Sequence, residues 1–357
     1  MCLYPKLIKN RKYQANKKNK GIIPAMTDPR TAFVPVPCGK CMECMKQRAN
    51  AWRIRLIEEI KVNKNGKFVT MTFSEESLNE LDKAVQEAAA KNIVELNKET
   101  GRKYKPVEIT GYELDNEIAT LAVRRFLERW RKRYGVSVRH WLVTELGQEK
   151  TERLHIHGVI WTDVNKNKVE EIWKYGNVNK REKNWEDNYC NEQTISYIVK
   201  YLNKADEIHR EYKPITLCSP GIGANYIKDT DARRHQFKGN ETKQDYINRQ
   251  GYKLALPTYY RKKIYNDEER EALWINLLDK EERWVNGIKV DVSQDNKDYE
   301  RVLEHARRIN KILGYADDKK NWNRTEYERQ RRNIKRYTRM KKDENQKKKF
   351  LGGKSND

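Results

Sequence analysis

Apolar and polar positions recur with two periods along the chain, and the switches between them predict its elements. In residues 154–161, LHIHGVIW, alternate side chains of a strand share a face, so Leu154, Ile156 and Ile160 point one way and His155 and His157 the other. Residues 139–146, RHWLVTEL, predict a second strand, and EKTERLHIHGVIW reads as its hairpin return. KFVTMTFS (67–74) is rich in β-branched and aromatic residues, follows an Asn65-Gly66 turn, and predicts a third strand.

Elsewhere the period is helical. In IATLAVRRFLERWRKRYG, Ala119, Ala122, Phe126 and Trp130 fall on one side, arginines cover the rest, and Gly135 ends the helix. CMECMKQRANAWRIRLIEEI predicts an amphipathic helix with Ala51, Ile54, Leu56 and Ile57 inward. LNELDKAVQEAAAKNIVEL, VEEIWKY, EQTISYIVKYLNKA and DEEREALWINLLDKEERWV predict further helices. LCSPGIG and GYKLALPTYYRKKI read as loops and short extended pieces. Helices and hairpins mix without regular βαβ repetition, which favours an α+β domain on an antiparallel sheet. Four segments are expected: a basic, cysteine-bearing segment and helix at 1–66, a core at 67–215, its C-terminal extension at 216–318, and a basic tail at 319–357 that is disordered or a solvated helix.

Charge narrows the partners. The 357 residues hold 75 Lys and Arg against 52 Asp and Glu, a formal charge of +23, which points to a polyanion, with nucleic acid ahead of an anionic membrane. Between Lys319 and Lys349 there are 14 basic and 4 acidic residues. Lys335, Arg336, Arg339 and Lys341 are the expected phosphate contacts there. Mean hydropathy is −1.05 and no apolar run approaches the roughly 20 residues of a membrane span. MCLYPKLIKNRKY has no hydrophobic signal region, and the cysteine distribution does not suit a secreted disulfide framework. The expectation is a soluble intracellular protein with no membrane partner.

The paired histidines carry the chemistry. Two imidazoles side by side on a sheet surface can ligate one divalent metal ion, or they can simply pack across strands. Glu145, on the preceding strand of the hairpin, sits where a third ligand would be wanted. In SYIVKYLNK, Tyr197 and Tyr201 are four apart and share a helix face, as do Lys200 and Lys204. A half-buried aromatic pair accounts equally for the tyrosines taken alone. With a metal site and a basic chain, the combination suggests tyrosine-mediated phosphoryl transfer. The metal neutralises the charge of a phosphodiester, a tyrosine hydroxyl attacks, and the lysines balance developing charge. Cys38, Cys41 and Cys44 in CGKCMEC have the spacing of zinc or iron–sulfur ligands, but such a site normally needs four. Cys2 completes the set if the N-terminus folds back; three buried, unligated cysteines are the alternative.

These residues resemble a known family. HIHGVIW resembles the His-hydrophobe-His motif of HUH endonucleases, YIVKYLNK the two-tyrosine motif of the rolling-circle replication initiators among them, and FVTMTFS their first strand. The chain is most similar to initiators of the Microviridae, the small single-stranded-DNA phages, in particular the gokushovirus-like group. That similarity extends to MCLYPK, VPCGKCMECMKQRANAW, PGIG and LPTYYRKK. It covers ordered patches of residues 1–265; residues 75–117 and those beyond 265 carry no placed motif. The resemblance implies a five-stranded antiparallel sheet with flanking helices, His155, His157 and Glu145 as ligands of Mg²⁺ or Mn²⁺, and Tyr197 and Tyr201 as nucleophiles. It implies a single-stranded DNA origin as substrate, a host helicase and DNA polymerase as partners, and the host bacterial cytoplasm as location. A transposase or relaxase uses the same chemistry, and a non-enzymatic nucleic-acid-binding protein would use the charge alone.

Overall fold

The computed structural model describes residues 2–147, 152–179, 185, 190–203, 209, 212–317 and 345. In chain order the elements are β1 (Lys6–Lys9), β2 (Phe33–Val36), α1 (Met42–Val62), β3 (Gly66–Met71), α2 (Glu75–Thr100), α3 (Gly111–Tyr134), β4 (Arg139–Leu146), β5 (Leu154–Trp161), α4 (Lys166–Trp173), α5 (Glu192–Ile198) and α6 (Lys200–Asn203). Then follow β6 (Thr216–Cys218), β7 (Asp245–Ile247), β8 (Lys253–Ala255), α7 (Thr258–Ile264), α8 (Asp267–Asp279), β9 (Glu282–Val285), β10 (Ile288–Asp291) and α9 (Lys297–Ile312). They form two compact units, one of Arg48–Asp229 and one of Met1–Gln47 with Thr230–Asp357.

The first of these units is an antiparallel sheet in the order β3-β5-β4-β6. β5 is central, and its residues are apolar on both faces because both faces are covered. Leu154, Ile156 and Ile160 meet α2, α3 and α4 in a core that includes Phe126, Trp130 and Trp173. Val159 and Trp161 meet Leu56 of α1 and Ile195, Ile198 and Leu202 of α5 and α6 on the opposite face. Helix caps are local. Ser74 accepts the Ser77 N–H at the start of α2, Asn191 accepts that of Thr194 at the start of α5, and Gly135 closes α3 in a left-handed conformation.

Gly158 is required by strand packing. A Cβ there would lie 2.1 Å from the Trp141 carbonyl oxygen and 2.8 Å from Leu142 Cα, so the close approach of β4 to β5 admits only hydrogen.

The sheet has four strands, not the five expected. At the outer edge of β3 a fifth partner is reduced to a single bridge, Met71 opposite Val178. Asn179 stops it. Its N–H donates to the Thr70 carbonyl at 2.9 Å, its Oδ1 accepts the Thr70 N–H at 2.6 Å, and its Nδ2 donates to the Phe68 carbonyl at 2.9 Å. The side-chain amide thus stands in for the next peptide of a strand. The left-handed backbone at Asn179 (φ 49°) turns the chain away, so the ladder ends without exposing its edge groups.

In the other unit β1 pairs with β2, β7 with β8 and β9 with β10, all antiparallel. Two expectations change here. The predicted helix through Val285 stops at Asp279, and Glu282–Val285 is a strand. Asn286 (φ 48°) and Gly287 (φ 82°) make the two-residue hairpin turn that Asn-Gly favours, and this overrides the helical period before it. Thr258–Ile264, read as extended, is a helix that starts directly after Pro257, where proline's missing N–H costs nothing. Among the described residues, no helix is long and apolar enough to cross a membrane.

Candidate functional site

Strand register assembles the site. β4 pairs with β5 so that Glu145 faces His155 and Val143 faces His157, while β3 places Thr70 opposite His157 from the other side. The period of two then puts His155, His157, Glu145, Thr70 and Phe68 on one face. This is not the open sheet surface expected. α5 and α6 lie over it, and His157 is 8 % exposed.

His157 is held at both nitrogens. Its Nε2 is 2.9 Å from Glu145 Oε2, and its Nδ1 is 3.1 Å from Thr70 Oγ1. Its ring stacks on Tyr201, with centroids 4.3 Å apart and planes within 4°. His155 lies beside it at 6.2 Å between centroids. Burial lowers the His155 pKa, and the neighbouring imidazole of His157 lowers it further, so it is kept as the neutral ring that a metal requires.

The expected tyrosine helix is broken at one residue. α5 ends at Ile198 and α6 begins at Lys200; the Val199 N–H still reaches the Ile195 carbonyl, and the Leu202 N–H bonds three residues back to Val199, tightening the turn. Tyr197 and Tyr201 nevertheless stay adjacent. The Tyr201 hydroxyl donates to that of Tyr197 at 3.0 Å, and their rings meet edge to face at 5.6 Å. The two differ in environment. Tyr197 is 50 % exposed, with the Lys200 ammonium 5.7 Å from its ring centroid and Phe68 edge-on at 6.0 Å. Tyr201 is half-buried, and burial together with its bond to Tyr197 pushes its pKa well up.

The donor set fits a hard divalent ion in part. Two ligands on adjacent corners of an octahedron with bonds of about 2.1 Å are about 3 Å apart, which matches the separation of His157 Nε2 and Glu145 Oε2. With Nδ1–H donated to Thr70, the Nε2 lone pair is left for the metal. His155 stands across the ladder from Glu145, but the trio is not drawn together as a closed cluster. Among the described residues, the group that gathers three or more such donors is Cys2, Cys38, Cys41 and Cys44 in the other unit.

Of the remaining expected residues, Lys204, Lys335, Arg336, Arg339 and Lys341 lie outside the described residues. Thr70 and Phe68 were not foreseen. Their signal was present in the alternation of FVTMTFS, which puts both on one strand face, but pairing register was needed to aim that face at His157.

Residues 109–206 match a family of replication-associated proteins, the ORF2 group. The matched stretch runs from the loop before α3 past α6 and contains Glu145, His155, His157, Tyr197, Lys200 and Tyr201. Neither the curated proteins nor the solved structures contain a match. The match is consistent with a replication initiator and supports a role in DNA replication.

Proposed function

We propose that this chain initiates rolling-circle replication of a phage genome by nicking single-stranded origin DNA through tyrosine attack. The observation that carries the reading is the pair of tyrosine hydroxyls, 3.0 Å apart, one of whose rings is stacked on His157 beside Glu145. This constellation falls wholly inside the stretch matched to a replication-associated family.

A DNA phosphodiester resists nucleophiles because its own charge repels them. A Mg²⁺ or Mn²⁺ ion held by His155, His157 and Glu145 supplies charge neutralisation and polarises the phosphorus. Thr70 holds the His157 ring in one orientation, and the stacked Tyr201 ring sets the distance of the tyrosine pair from that edge of the sheet. A tyrosine hydroxyl loses its proton and bonds to phosphorus; the bond to the 3′ oxygen breaks, and that oxygen takes up a proton. The products are a 5′-phosphotyrosine and a free 3′-hydroxyl. The bond energy is conserved in the adduct, so the displaced strand can be rejoined without ATP. Lys200, beside Tyr197, offsets charge on the attacking oxygen, and Lys204 is assigned the same role. The free 3′ end is a primer, so a host DNA polymerase and a helicase are the partners this chemistry calls for. The chain's charge of +23 suits it to the DNA backbone.

The test is incubation with phage-origin single strand and Mn²⁺, followed by denaturing electrophoresis. A denaturant-resistant protein–DNA adduct is expected from the parent and from each single variant, Tyr197→Phe and Tyr201→Phe, but none from the two combined. An adduct in the double variant would place the nucleophile elsewhere. Sequence-independent binding without cleavage would make the chain a nucleic-acid-coating protein.

A further inference from the structure

We propose that Cys2, Cys38, Cys41 and Cys44 bind one zinc ion as a closed tetrathiolate site in the unit of Met1–Gln47 and Thr230–Asp357. Four separate parts of the local structure converge on it. The β1–β2 ladder pairs Lys6 with Val36, so the strands, extended by a few residues, bring Cys2 alongside Cys38. Cys41 and Cys44 lie at the start of α1, three apart and on one face. Gly39 (φ 78°) turns the chain between Cys38 and Cys41 in the left-handed region, which glycine adopts at no steric cost. The sulfurs sit among Val285, Val290 and Val292 of the β9–β10 hairpin and Tyr299, Leu303 and Ala306 of α9.

The geometry is that of ligands, not of disulfides. All four cysteines are free thiols. Cys38 Sγ and Cys44 Sγ are 3.9 Å apart, Cys41 Sγ and Cys2 Sγ 4.0 Å, and the four lie within 4.8 Å of one another. A tetrahedron with Zn–S bonds of about 2.3 Å has edges of about 3.8 Å. An iron–sulfur cluster puts several irons and sulfides between its cysteines and needs a wider cage, so a single ion fits this one. Softness of the ligands selects zinc over the hard cations.

Backbone amides supply the second observation. The Cys38 N–H donates to Cys2 Sγ at 3.2 Å, Tyr4 N–H to Cys2 Sγ at 3.4 Å, Cys41 N–H to Cys38 Sγ at 3.4 Å, and Leu3 N–H to Cys41 Sγ at 3.5 Å. Amides aimed at sulfur stabilise thiolates, the form that binds metal. Neighbouring groups lock the frame: Arg307 donates to the Leu3 carbonyl, and Asn310 Oδ1 accepts the Met42 N–H at 2.8 Å. Four protein ligands leave no open position, so the role is structural. The ion would staple the N-terminal residues, the start of α1 and the surrounding apolar residues of β9, β10 and α9 into one core.

The experiment measures metal in the full chain, purified without chelator in zinc-containing buffer. One zinc per chain is expected. Exchange into Co²⁺ alone should produce sulfur-to-cobalt charge-transfer absorption, and this should persist in His157→Ala, which leaves the cysteines untouched. Cys2→Ser and Cys44→Ser should each lose most of the zinc, whereas Cys218→Ser should keep it. If those variants do not fold, the cobalt spectrum of the parent decides. Absence of bound zinc together with no thiolate–cobalt band, or a disulfide among these four cysteines, would overturn the proposal. None of these readouts involves DNA, so the outcome stands apart from that of the nicking reading.

Discussion

Replacing Thr70 by Val separates a metal-orienting histidine from a merely packed one. The change keeps the branched shape and the strand backbone, whose N–H and carbonyl bond to Asn179, and removes only the hydroxyl 3.1 Å from His157 Nδ1. Two effects follow. A buried imidazole nitrogen loses its partner, which lowers metal-free stability by about 1–3 kcal/mol. The ring also loses what fixes its orientation, and such partners are worth about 10–100-fold in metal affinity. In the parent, Mn²⁺ at about 100 times its Kd adds about 2.7 kcal/mol to the stability of the unit that binds it. For a unit of this size, about 3 °C per kcal/mol gives a rise of about 8 °C in Tm. At the same Mn²⁺ concentration the variant is at only about 10 to 1 times its Kd. RT ln 11 and RT ln 2 are then about 1.4 and 0.4 kcal/mol, or about 4 and 1 °C. The assay is thermal unfolding with and without Mn²⁺, together with the Mn²⁺ concentration that half-saturates adduct formation. The reasoning fails if Thr70→Val lowers the metal-free Tm but keeps the parent's full Mn²⁺ increment, because Thr70 would then only satisfy a packed histidine.

Two further outcomes follow from the packing and titration of the fold. Gly158→Ala should push β5 from β4, since its Cβ would meet the Trp141 carbonyl oxygen at 2.1 Å, and should cost about 3 kcal/mol or more, read as a lower denaturation midpoint; parent-like stability would refute the tight approach. Acid should destabilise both units below about pH 6.5, because burial holds His140 and His235 below their ordinary value. Their unfolded forms bind more protons in that window, so their contribution is complete above about 6.5 and is lost as pH falls toward the folded values; His140→Gln and His235→Gln should flatten the Tm–pH curve, and an unchanged slope would count against the buried-neutral assignment.

Periodicity alone determined much of this molecule. The 3.6 and 2.0 repeats are set by local geometry, so α3, β4 and β5 were legible to within a few residues, and so was the shared face of His155 and His157. The spacing of Tyr197 and Tyr201 likewise foretold neighbouring rings, and a single tightened residue at Val199 did not undo it. Strand count was not legible. The fifth strand ends because Asn179 adopts a left-handed backbone and spends its side chain on the β3 edge, a choice made between residues more than a hundred positions apart. Thr70 and Phe68 were invisible for the same reason: alternation gives their face, but only pairing register carries that face to His157. The cysteines show both limits together. Their spacing named three of four members, and the β1–β2 pairing delivered Cys2 to the other sulfurs, because long-range proximity is decided by the contacts of the folded chain and leaves no period in its sequence.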